Sequence, residues 1–281
     1  MNQKTHYTLS FYHLSLAIRD TIEYIHRRPS YPYNVWLAKK NTIEMSLKEN
    51  SPFINFCNNN GEIGEKMKEQ LQDLYDTVYG EDQTFVSIEG EEVKPDAAQN
   101  LKVLDYVIPL KQSLLNILRA YMNNQKTDGS LCEGVQELVE LEDKLYRSIF
   151  AMVISDYLFN NLFAEFNKAM KENNGQPSIQ SNFVTNDIKK VIGMIQFVNK
   201  NALESDTDFK DAFNDLDLGI KLISGIEKVP AGSSFPQEFQ KIVQRWYQNV
   251  AKLEPAWRVQ HTKIWNELVE FERELNSKSQ H

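Results

Sequence analysis

Residues 134–171, GVQELVELEDKLYRSIFAMVISDYLFNNLFAEFNKAMK, decide the fold class. Leu138, Leu145, Ile149, Met152, Phe159, Phe163, Phe166 and Met170 follow one another at steps of three, four or seven and mark a single helical seam. Phe150, Val153, Ile154, Leu158 and Leu162 are apolar on the other faces. A helix that is apolar on most sides belongs at the centre of a bundle, so the segment predicts an all-α fold built around it. One polar residue breaks the seam: Asp156 lies between Met152 and Phe159. A lone buried carboxylate is costly, so Asp156 requires a partner or a cavity. The simpler reading is a hydrogen-bonded residue that fixes packing; the sharper one is a perturbed acid in a pocket.

The rest of the chain repeats the helical period. Tyr7, Phe11, Leu14, Ile18, Ile22 and Ile25 draw one stripe along a first helix that ends near Arg27-Arg28-Pro29. Residues 35–50 and 51–58 read as shorter helices, the second capped by Ser51 with Pro52 in its first turn. Ile63, Met67, Leu71, Leu74 and Val78 mark another. After Gly80, the β-branched and aromatic residues of TFVSIEGEEVKP admit one small β-hairpin near residues 84–94, or else an acidic connector. A helix capped by Asp96 runs to Met122 and is expected to bend at Pro109; NNQKTDGSLCEG then breaks it. Further stripes lie at Val184–Val198 and Phe209–Ile223. Ser234 and Gln237 suggest a capping box before Phe239, and Pro255 starts or bends a terminal helix carrying Trp257, Ile264 and Leu268. This gives an irregular bundle of about nine helices without a repeat at fixed period. We read residues 1–281 as a single helical domain, with N-terminal helices 1–80, the connector 81–95 and a main bundle 96–281 as the alternative subdivision.

Composition agrees. Gly 11 and Pro 9 in 281 residues fall below the usual shares of roughly 7% and 5%, too few for the turns of a sandwich or barrel. A hydrophobic share of 41% is enough for a packed core, and a chain of this length can bury roughly three quarters of its unfolded surface. Neither disulfides nor a structural metal is needed, and no cofactor is expected. Cys57 and Cys132 have no CxxC spacing and no nearby His, so they read as isolated thiols of a reducing compartment. The opening MNQKTHYTLSFYHL lacks the basic and apolar regions of a signal peptide, and no run of ~18 apolar residues occurs. A cytoplasmic location is expected.

Charge and motifs exclude several functions. Lys+Arg 31 against Asp+Glu 39 gives 31 − 39 = −8, and the pairs Arg27-Arg28, Lys39-Lys40 and Lys189-Lys190 are scattered. Nucleic acid and anionic membranes are therefore poor partners. No GxxxxGK[ST], GxGxxG, GxSxG or HExxH occurs.

The first helix holds three of the five histidines, His6, His13 and His26. His6 and His13 are two turns, ~10 Å, apart and cannot share a metal. Glu23 and His26 form one Glu-x-x-His, half of the carboxylate-bundle metal pattern, and no second copy occurs. A solvated Glu–His pair is the simpler reading, so no metal site is expected. Asp206, Asp208, Asp211, Asp215 and Asp217 suit a helix start and lack the central Gly and closing Glu of a calcium loop. His261, between Trp257 and Ile264 on an apolar stripe, reads as a satisfied core histidine, with a base or pH switch as its functional alternative.

Aromatic residues remain. Tyr31, Tyr33 and Trp36 follow two prolines, and Trp246, Trp257 and Trp265 fall in the last helices; rigid amphipathic side chains of this kind are enriched at interface cores. Core packing would explain them too. We therefore expect a non-catalytic cytoplasmic protein that acts through a protein partner or as a homo-oligomer, as adaptor, assembly subunit or inhibitor. Its Asn/Lys/Ile-rich composition suits a microbial or phage source. The alternative is an enzyme or a small-molecule or metal-binding bundle with a pocket near Asp156 and His261.

Overall fold

The computed structural model describes residues 3–26, 32–81, 97–123, 129–162, 194 and 235–278. Among these the chain forms seven α-helices and no strand: α1 Gln3–His26, α2 Tyr33–Leu47, α3 Pro52–Asn58, α4 Gly61–Tyr79, α5 Ala97–Asn123, α6 Gly129–Tyr157 and α7 Phe235–Lys278. A π-helical turn, Leu158–Leu162, follows α6. The fold is all-α, as the period of the sequence requires. The hairpin expected at 84–94, the helices expected at 184–223 apart from Met194, which is helical and buried, the Asp206–Asp217 cluster and the Ser234 cap lie outside the described residues.

The chain divides into two compact units, Met1–Asp143 with Gln260–His281, and Lys144–Val259. In the first, α1 packs against α2, α3 and α5, and α4 packs against α2, α3 and α5. Phe11, Leu14, Ile18, Ile22 and Ile25 of the expected stripe are buried, and so are Tyr12, Ala17 and Tyr24 on neighbouring faces. A helix with neighbours on several sides must be apolar on several sides. Edge-on rings fasten α1 to α3: Phe11 lies 6.3 Å from Phe53 and 5.5 Å from Phe56. Asn100 of α5 donates its amide to the Ile25 carbonyl at the end of α1 over 3.2 Å.

Local chemistry sets the α2–α3–α4 turns. Ser51 accepts the Ile54 backbone N–H at 3.0 Å, with Pro52 in the first turn, while its hydroxyl donates to the Ser46 carbonyl at 2.6 Å. The cap is the one the sequence predicts. Asn50 just before it takes φ 66°, a left-handed conformation that Asn tolerates better than most residues.

Three elements differ from the sequence expectation. Ile63 is 66% exposed. The row that faces the core is Gly64, Met67, Leu71, Leu74 and Val78, because α4 approaches α3 so closely that only glycine fits: a Cβ on Gly64 would stand 2.0 Å from the Cys57 carbonyl oxygen. Helix α6 starts at Gly129, inside the segment expected to break the chain. Helix α7 is continuous through Pro255 where two helices were expected, and α5 likewise carries Pro109 inside it. One proline removes one i→i−4 bond and costs about 3 kcal/mol, which neighbouring turns and packing can offset.

The second unit contains the buried run of α6: Leu145, Tyr146, Ile149, Phe150, Ala151, Met152, Val153, Ile154 and Tyr157. Tyr146 and Phe150 meet edge to face at 5.0 Å. This is the all-round burial that the pattern predicts, over residues 145–158; Phe163, Phe166 and Met170 of the expected seam lie outside the described residues.

Gly64→Ala separates two opposed effects. Helix propensity favours Ala by about 1 kcal/mol, whereas overpacking against backbone costs about 1–3 kcal/mol. A Cβ 2.0 Å from a backbone oxygen puts the cost at the top of that range, so we expect a net loss of about 2 kcal/mol in urea unfolding; an unchanged midpoint would show that α3 and α4 can separate here without cost.

Candidate functional site

In the first unit, residues of three helices converge on the Glu142 carboxylate of a fourth, α6, which is fully buried. Its Oε1 accepts from Lys111 Nζ of α5 at 2.5 Å, and its Oε2 accepts from Arg19 Nη1 of α1. The Lys111 ammonium also donates to the Ser15 carbonyl and, at 2.7 Å, to Ser15 Oγ. Three protons thus meet three acceptors. His261 of α7 brings Nε2 to 3.5 Å from Glu142 Oε2 and shares a 2.5 Å hydrogen bond with the Tyr12 hydroxyl, its direction following the imidazole tautomer. Trp265, one turn further along α7, stacks on Tyr12 at 5.3 Å and meets His13 edge-on at 5.1 Å.

The network extends outward through Asp20. Arg19 Nη2 lies 3.4 Å from Asp20 Oδ1, and Lys39 of α2 reaches Oδ2 at 2.8 Å. Glu23, 8% exposed and one turn beyond Arg19, acts on the same guanidinium. Three cations (Arg19, Lys39, Lys111) therefore face three carboxylates (Asp20, Glu23, Glu142). Nearby, the Arg119 guanidinium forks onto Glu140 at 2.8 and 3.0 Å and reaches Asp143 at 2.9 Å, a second tie between α5 and α6.

Burial and charge set the protonation states. Burial pushes His261 down to about 4; Glu142 opposes this, and Arg19 and Lys111 add to it. The imidazole is neutral at pH 7. Burial also lowers Lys111, to about 8 with Glu142 opposing, so its ammonium persists at neutral pH. Burial alone would raise the Asp20 carboxyl, but the Arg19 and Lys39 charges outweigh it and hold the group below its ordinary value. Burial, reinforced by Glu142, raises the Tyr12 phenol well above the ordinary range.

The residues singled out in the sequence are dispersed. Asp156 is half-buried and belongs to the second unit, whereas His261 belongs to the first. Trp36 is buried at 5% exposure against Tyr24 at 6.2 Å and Tyr79 at 5.3 Å, so its ring serves the core. Tyr33 stacks on it at 5.8 Å and is 55% exposed. Trp257 is half-buried, with Lys144 Nζ 5.8 Å from its ring centre. Tyr31 and the side chains of Trp246, His6 and Cys132 lie outside the described ones. Glu23 is buried and His26 half-buried. Among the described residues no three His, Cys, Asp or Glu side chains are grouped to hold a metal ion. Cys57 is a free, buried thiol pushed up to about 11, first by burial. No described helix is long and apolar enough to cross a membrane.

Comparison with protein-family models, curated proteins and solved structures finds no match. The site stands on its geometry. Its charges are engaged with one another, which makes it first a device that fixes how α1, α5, α6 and α7 meet.

Lys111→Met keeps the aliphatic stem but leaves Glu142 with one fewer cation. We expect a loss of about 3–5 kcal/mol, and a coupling of about 1–3 kcal/mol when Glu142→Gln is added, read from urea midpoints of the single and double variants. Strictly additive losses would show that the two side chains do not act as a pair.

Proposed function

We propose that the protein is a non-catalytic, cytoplasmic helical protein that works through contacts with a protein partner or a second copy of itself, as an adaptor, assembly subunit or inhibitor. The observation that carries this reading is the outer face of α2. Tyr33, Leu37 and Met45 are 55%, 37% and 57% exposed, three of the five large hydrophobics exposed among the described residues. They fall within one stripe about 18 Å long. Lys40, Glu44 and Lys48 lie on the same side of the helix among them, which makes this a mixed apolar and polar face of the kind a modest interface presents. The unreactive buried Cys57 thiol suits a reducing cytoplasm.

A ligand-binding or catalytic bundle is the second reading. The shifted buried groups around Glu142 favour it, since such shifts cluster at functional sites. Native mass spectrometry separates the two: a stoichiometric extra mass on the purified chain moves the assignment to the second reading.

The α2 surface is tested with Leu37→Glu/Met45→Glu. Both positions are exposed, so folding should change by no more than about 0.5 kcal/mol each. Sedimentation of the purified chain, and cross-linking in the cells that produce it, should show an association through α2 that weakens at least tenfold in the variant. A monomeric wild type whose cross-links are unaltered by the substitutions would overturn the reading.

A further inference from the structure

We propose that the part of α7 from Gln260 onward is an acid-released clamp: proton uptake by His261 detaches this segment from α1 and uncovers Tyr12. The inference starts from how little of the segment is buried. Of its described side chains His261 alone is buried; Ile264, Trp265 and Val269 are half-buried, and Thr262, Lys263, Asn266, Glu267 and Glu270 are exposed. Its contacts with the rest of the first unit include the Tyr12–His261 hydrogen bond and ring stack, the 3.5 Å approach of His261 to Glu142, the Trp265 contacts with Tyr12 and His13, and the Gln260 amide donating to Glu137 of α6. Segments with few buried contacts open locally well below the free energy of global unfolding.

The groups that face His261 make the docked form intolerant of a proton. From α1 come Tyr12, Arg19 and Asp20, from α5 Lys111 and from α6 Glu142. Lys39 of α2 adds its charge through Asp20, and His13 lies across Trp265. Glu142 would be the natural counter-ion for an imidazolium, but its single charge is already shared between Lys111 and Arg19. A charged His261 would be a fourth cation against three carboxylates, with 6% of its surface left to water. In the released segment the imidazole is solvated and recovers its ordinary affinity for protons.

The sign follows from linkage. The docked value near 4 lies below the ordinary 6.5, so the clamp is fully favoured above pH 6.5 and loses stability as pH falls from 6.5 toward 4. The opening constant is expected to rise about threefold from pH 7 to 6 and about twentyfold from pH 7 to 5. Asp20, held below its ordinary 3.8, loses its contribution only below this window.

Hydrogen exchange on the full-length chain, corrected for intrinsic rates, reads the opening constants directly. Amides within 260–270 should open about twentyfold more at pH 5 than at pH 7, while those of α4 stay within twofold. His261→Gln, which keeps a polar partner for Tyr12, should abolish the rise, and His13→Gln should retain it. An unchanged wild-type opening constant, a rise that persists in His261→Gln, or a parallel rise in α4 would each overturn the proposal. The wild-type imidazole supplies a test that needs no variant: titration of the His261 ring by NMR near 6.5 would overturn it, and titration near 4 supports it.

Discussion

A carboxylate without access to water constrains this fold more than any other group. Moving a single ion from water to a dry interior costs several kcal/mol even after relaxation. Glu142 is tolerable only where Lys111 and Arg19 deliver donors to both of its oxygens. Those donors come from α5 and α1, and the Ser15 carbonyl and hydroxyl complete the ammonium's partners. A slip of α1 by one residue would rotate Arg19 and Ser15 away by about 100° and leave charges buried and unpaired. The apolar side chains around the network drive its burial; the network decides which of the many apolar packings is acceptable.

The same logic governs the aromatic residues. Trp36 meets Tyr24 and Tyr79 in the core, and the Tyr79 hydroxyl, 2.7 Å from Thr21 Oγ1, has its polar atom satisfied inside the fold. With Trp36 and Ile43 committed inward, the large apolar side chains that α2 leaves exposed are Tyr33, Leu37 and Met45. Aromatic content therefore does not mark the α2 surface; the direction of each side chain does. Tyr33 stacks on Trp36 while showing half its area outside, joining core to surface.

Much of the helical plan was legible because burial imposes a period. The stripe of α1, the Ser51–Pro52 start of α3 and the buried run of α6 follow from residue spacing and capping chemistry alone. Ile63 continues the apolar period yet faces water, because the close approach at Cys57 makes its neighbour Gly64 the core position. Pro255, expected to start or bend a terminal helix, lies inside one continuous α7, because tertiary packing can offset a local penalty of about 3 kcal/mol. Asp156 and His261 attracted attention as polar residues on apolar stripes. The same test would have found Lys111, three residues before Leu114, and Glu142, three before Leu145.

The sequence by itself determined an all-α chain, most helix positions and which residues would be expensive to bury, because propensity, capping and periodicity act over a few residues. Only the tertiary structure decided that Lys111, Arg19, Tyr12 and His261 meet at Glu142, which of them stay charged, and that Leu37 and Met45 face water while Trp36 does not. Pairing partners lie up to 249 residues apart in the chain, and Coulomb and desolvation terms depend on distance in space, which no local spacing encodes.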